Sequence, residues 1–141
     1  IIMEIVALIS CTKKKRQGTF EAKYLYDESP LFKKSYQYAK QYTDKIYILS
    51  AKYGLLKDSD IVSTYDETLN KKNKKEREKW GTLVKNQLSN EFDLKNTKFL
   101  ILAGNNYLHP IEDIFELEPD LPLKNLGLGK RLKWLNSKIT K

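Results

Sequence analysis

The sequence predicts an α/β fold: a single three-layer α/β/α domain, residues 1–141, built on a small, mostly parallel sheet of three to four strands. Three observations predict it. Three continuous apolar runs, at 5–9, 45–49 and 98–102, each end in small or polar residues. Amphipathic stripes of helical spacing lie between and after them. No apolar run approaches the ~20 residues of a membrane span.

The elements follow in chain order. Residues 5–9 read IVALI and lead into Ser10-Cys11-Thr12. A run rich in branched residues and apolar at every position suits a strand buried on both faces. A helix begins at Pro30, with Ser29 as its N-cap and Leu31, Phe32, Tyr36, Ala39 and Tyr42 at helical spacing. KIYIL at 45–49 is the second strand, ending in Ser50-Ala51-Lys52-Tyr53-Gly54. Residues 54–72 read as a long irregular connection, of the kind that often carries function. A second helix, from about Lys74, aligns Trp80, Leu83, Val84, Leu88 and Phe92. KFLIL at 98–102 is the third strand, ending in Ala103-Gly104-Asn105-Asn106. Leu108, Ile111, Ile114, Phe115 and Leu117 suggest a third helix, residues 121–123 a fourth strand, and Leu128, Leu132, Leu135 and Ile139 a last helix. Strand and helix in alternation build a parallel sheet through right-handed crossovers. No repeat, low-complexity tract or linker divides the chain.

Composition narrows the class. Of 141 residues, 40% are apolar and 31% charged, so the chain is globular with a wet surface and long enough to bury about 70% of its unfolded surface. One cysteine makes no internal disulfide, which suits a reducing compartment. No signal-peptide pattern opens the sequence, so the expectation is a cytoplasmic protein with no membrane partner. The net charge is +8, and it is uneven: Lys13, Lys14, Lys15 and Arg16 stand together, a second run spans 71–79, and no acid follows Asp120. Such a field favours nucleic acid, nucleotides or other phosphates as partners. The middle run taken alone reads rather as the solvated start of a helix.

Ligands of an open parallel sheet sit outside the carboxyl ends of its strands. Topology alone therefore brings together residues 10–16, 50–54 and 104–107. In the first segment Ser10, Thr12, Lys13 and Lys14 offer hydroxyls and ammonium groups to a phosphate, without the glycines of a Walker loop. Cys11 is either a nucleophile, with nearby lysines favouring its thiolate, or a small packing residue. In the second segment Ser50, Lys52, Tyr53 and Gly54 combine an anion partner with an aromatic face, and Tyr65 adds another. Asp66 and Glu67 are candidates for a general base, with hydrogen-bonded loop roles as the alternative. Gly104 and Tyr107 belong to the third segment. Gly127, Gly129 and Lys130 precede and open a basic amphipathic helix, where free amides attract anions. The one histidine, His109, stands before Pro110 and suits a surface or capping role. No Cys/His cluster implies a metal, and no motif implies a cofactor.

Several strings recur together: 7–15 (ALISCTKKK), 29–32 (SPLF), 47–56 (YILSAKYGLL), 65–69 (YDETL), 102–104 (LAG) and 126–135 (LGLGKRLKWL). In that order they resemble a family of small bacterial and phage domains of unknown function, often labelled as like the peroxide-stress protein YaaA. The resemblance spans nearly the whole chain. The YaaA label implies DNA binding and protection from oxidative damage. The architecture is also similar, at the level of fold, to uracil-DNA-glycosylase-type and nucleoside-deoxyribosyltransferase-type domains.

The leading expectation is an enzyme acting on a nucleotide or nucleic-acid base, including N-glycosidic bond chemistry, with a basic phosphate-binding crevice at the strand ends. The alternatives are a non-catalytic nucleic-acid-binding protein and a stress- or defence-related domain that senses a small nucleotide. The sequence leaves oligomeric state open.

Overall fold

Val6, Ala7, Leu8 and Ile9 are each at most 1% exposed. Successive side chains of a strand point to opposite faces, so both faces of this strand are covered. It is β1 (Glu4–Ser10), one of two inner strands of a four-stranded sheet ordered β4 (Gly54–Lys57), β3 (Lys45–Ser50), β1, β6 (Thr97–Leu102). The structure is a computed structural model and describes residues 3–139. β3 (Lys45–Ser50) and β6 (Thr97–Leu102) both run parallel to β1, with Leu8 opposite Tyr47 on one side and Ile101 on the other. β4 (Gly54–Lys57) returns antiparallel along β3. The sheet is thus mostly parallel with an antiparallel edge, and the predicted α/β class holds.

The fourth strand is not the expected one. Residues 121–123 form no strand; only Asp120 bridges to the sheet, exchanging backbone bonds with Phe99 and Ile101. Pro122 has no N–H to extend that ladder. The connection expected to be irregular instead holds β4 and β5 (Ile61–Ser63), and β5 pairs antiparallel with β2 (Thr19–Glu21) in a small second sheet. That ribbon ties the 54–72 segment to the loop after β1.

The helix α2 (Pro30–Tyr42) starts as expected, with the Ser29 hydroxyl accepting from the Phe32 amide. It lies against β1 and β3 and packs on α5 (Leu128–Lys138), where Tyr38 meets Trp134 edge-on at 5.1 Å. A short α1 (Ala22–Leu25) precedes it. α3 (Lys74–Glu91) opens with a reciprocal capping box between Asn73 and Glu76. Trp80, Val84 and Leu88 face the core, and Phe92 just past its end packs on Tyr47 and Phe99. Leu83, expected in that stripe, is exposed. The crossover β1-α2-β3 runs one way across the sheet and β3-α3-β6 the other, so right-handed connections set α2 and α3 on opposite faces.

The third expected helix is broken. Asn105–Leu108 forms one turn, α4, and Glu112–Ile114 a separate 3₁₀ turn, with Pro110 between them. Leu108 and Ile111 are still buried. Close packing explains Gly81 of α3: a Cβ there would collide with the Pro110 carbonyl.

Candidate functional site

β1 and β6 are parallel neighbours, so their carboxyl ends lie side by side at the edge of the sheet where ligands of such folds sit. A cleft of about 430 Å³ opens there, over the ends of β1 and β6. Its floor holds Ser10, Cys11 and Tyr107; Ser29 and Leu31 border it from α2, Thr68, Asn70 and Lys71 from the 3₁₀ turn Leu69–Lys71, and Leu128 and Arg131 from α5. Lys13 and Lys14 complete the rim.

The wall carries four cations, Lys13, Lys14, Lys71 and Arg131, and no carboxylate. A hollow of about 420 Å³ at the opposite end of the sheet is different: Lys40, Lys45 and Lys57 alternate there with Asp44, Asp58 and Glu91. Only the first cleft offers one sign of charge. The Arg131 side chain is positioned by a 2.7 Å bond from its Nε to the Leu126 carbonyl. Its two terminal nitrogens reach toward Gly104, 3.7 and 3.9 Å from where a Cβ would be. No carboxylate among the described residues pairs with it.

Beneath the cleft lies a hydrogen-bonded floor. The Tyr107 hydroxyl accepts from the Leu69 amide at 3.2 Å, sits 3.3 Å from Cys11 Sγ and 3.4 Å from Thr68 Oγ1. Burial, with Cys11 next, holds that phenol far above its ordinary range, so it stays protonated and can donate. Cys11 is buried. Beside it, the Tyr65 hydroxyl lies between Tyr26, at 2.6 Å, and Ser50, whose hydroxyl donates to it at 2.8 Å. Ser50 also accepts the Tyr53 amide at 3.0 Å, and its carbonyl accepts the Trp80 indole N–H at 2.8 Å. Burial likewise raises Tyr65 and Tyr26. Lys15 rests its ammonium 4.5 Å above the Tyr65 ring; burial lowers its pKa, against the pull of Cys11 and Asp66.

The structure thus brings together Ser10, Cys11, Thr12, Lys13, Lys14, Gly104 and Tyr107 from the expected set. Ser50 and Tyr65 form the layer behind them. Tyr53 is held by its own bond to the Ser63 carbonyl, and Lys52 points out over the Tyr53 ring at 5.4 Å. Gly54 is buried where β3 turns into β4, at φ +76°. Asp66 is exposed, and Glu67 lies 3.9 Å from Lys72; neither lines the cleft. Gly127, Gly129 and Lys130 are exposed and outside it. Sequence reasoning passed over Arg131, Lys71, Thr68 and Tyr26. Arg131 had a signal: it lies four residues before buried Leu135, on the inward face of α5, whereas Lys130 does not.

Among the described residues no group of His, Cys, Asp and Glu could hold a metal ion, and no helix is long and apolar enough to cross a membrane.

A family model for a family of unknown function, DUF6884, matches residues 6–137. The chain belongs to DUF6884. The match takes in every residue that lines the cleft, from Ser10 at the end of β1 through Arg131 of α5. No curated protein matches this DUF6884 chain, and no solved structure does.

Proposed function

We propose that the cleft binds the phosphate of a nucleotide or of a nucleic-acid end. One observation carries this: four cations and several hydroxyls line a strand-end cleft with no carboxylate among them. Arg131 supplies a planar fork for phosphate oxygens, and the lysines supply point charge. The volume lies within the usual ~300–1,000 Å³ of small-molecule sites, larger than phosphate alone requires. Leu31, Leu128 and the Tyr107 ring give apolar wall for a sugar or base. The reading agrees with the nucleic-acid role that the YaaA-like resemblance implies for bacterial and phage relatives.

Turnover is a separate step of the proposal. Hydrolysis at a glycosidic bond needs a carboxylate to activate water, and Asp66, outside the cleft lining, is an acid whose charge acts on Lys15 beside Tyr65. Binding is therefore the primary function, and base release the added one.

A thermal-shift series with nucleoside monophosphates, at low and high salt, tests the first step. A ligand at 100 times its Kd stabilises the native state by about 2.7 kcal/mol, a shift of several degrees. We expect that shift in the wild type and its loss in Arg131→Gln. No shift with any nucleotide, or an equal shift in the variant, rejects the reading. Chromatography for free base then asks about turnover, which Asp66→Asn should abolish without removing the thermal shift.

A further inference from the structure

The cleft does not end at its rim. Lys14 lines it and also a neighbouring trough of about 650 Å³ beside Lys33 and Lys34 of α2. Lys33 and Gln37 pass on to a third hollow of about 330 Å³, lined by Lys23, Tyr24 and Lys40. Three concavities joined by shared residues trace one path from the strand ends along α2.

The path carries an excess of positive charge. Five lysines, Lys14, Lys23, Lys33, Lys34 and Lys40, line it against two acids, Asp27 and Glu28, which Arg16 contacts at 2.7 and 3.4 Å. Lys34 donates to a neutral partner, the side-chain amide oxygen of Asn136, and so keeps its charge uncompensated. Lys33, Gln37 and Lys40 fall at i, i+4 and i+7 on one helix face. Seven residues of helix set Lys33 and Lys40 about 10 Å apart along the axis, far enough for the two ammonium groups to meet different phosphates of one strand. Beside them Tyr24 is 47% exposed, with the Lys23 ammonium 5.2 Å from its ring and no aromatic side chain stacked on it among the described residues. An exposed ring in a basic trough is a stacking platform for an unpaired base.

We infer that this path holds a single strand of nucleic acid, its terminal phosphate in the cleft, the following phosphates along the α2 lysines, and an unstacked base on Tyr24. The inference rests on the phosphate-binding reading of the cleft and names its ligand class. A duplex fits less well, because its base faces are already stacked and give Tyr24 nothing to meet.

Fluorescence anisotropy with a 5′-phosphorylated single-stranded oligonucleotide of about twelve residues, within the usual site sizes, tests it. The variant Lys33→Gln/Lys40→Gln/Tyr24→Ser changes only groups outside the cleft. It should bind the oligonucleotide roughly tenfold more weakly and lower the salt slope by about 1.4, from ~0.7 per phosphate contact. Its thermal shift with a mononucleotide should match the wild type, whereas Arg131→Gln should weaken both ligands. Should the triple variant fail to fold, Lys33→Gln alone should lower the slope by about 0.7. Unchanged oligonucleotide affinity, or equal affinity for the matching duplex, overturns the path; a surviving mononucleotide shift in that result leaves the cleft reading intact. A wild type that binds neither ligand overturns both.

Discussion

Gly54 shows how one residue fixes the geometry behind the cleft. Its φ of +76° is a conformation that side chains with a Cβ rarely adopt. A Cβ there would also stand 2.5 Å from Gln87 Oε1, the atom that accepts the Leu55 amide at 2.8 Å. Gly54→Ala adds left-handed strain of about 1–2 kcal/mol and disturbs a hydrogen bond worth about 1 kcal/mol. The expected cost is about 2–3 kcal/mol, read as a lower urea midpoint with an unchanged slope; a loss below about 0.5 kcal/mol would show that the turn relaxes freely. The sequence marked this glycine as a binding residue because it follows a strand end. Its role as a backbone hinge depends on β4 folding back along β3, which a four-residue strand does not announce. Tyr107 and Cys11 were legible for the same positional reason, since both follow strands whose apolar runs are unmistakable. Tyr26 was not, because it joins the site only through the hydroxyl of Tyr65, 39 residues away.

Among the elements, local signals decide what is legible. β1, β3 and β6 are buried on both faces, and their runs of apolar residues say so without any partner. β5 is three residues long with only Val62 buried, and its existence depends on pairing with β2. The apolar stretch at 121–123 misled in the opposite direction, because burial of Leu123 needs no ladder. Helix starts were legible where capping chemistry is local. For α3 that chemistry is the Asn73 side chain accepting the Glu76 amide at 2.8 Å while Glu76 accepts the Asn73 amide at 3.1 Å. Asn73→Ala should cost about 1 kcal/mol, measured by chemical denaturation. Since α3 carries Trp80, whose indole holds the Ser50 carbonyl, the helix start bears indirectly on the site. A variant as stable as the wild type would mean that packing of Trp80, Val84 and Leu88 alone sets the start of α3.

At the scale of the whole molecule, buried phenols tie the fold to alkaline pH. Burial holds the hydroxyls of Tyr26, Tyr36, Tyr38, Tyr47, Tyr65 and Tyr107 above the ordinary tyrosine value, with Tyr47 pushed up to about 12. In the unfolded chain each ionises near pH ~10. Above that pH the unfolded state has lost protons that the folded state still binds, so stability falls as pH rises. The stabilisation is fully present below about pH 10 and is lost as pH climbs through the folded values, about 12 for Tyr47 and higher for Tyr65 and Tyr26. Three of these rings, Tyr26, Tyr65 and Tyr107, form the layer under the cleft, so the site should open with the fold rather than before it. A titration followed together by phenolate absorbance and circular dichroism should show Tyr26, Tyr65 and Tyr107 ionising in one cooperative step that coincides with unfolding. Gradual ionisation of all nine tyrosines while the dichroism stays native would mean that water already reaches the layer beneath the cleft, and that the cleft rests on a looser floor than its hydrogen bonds describe.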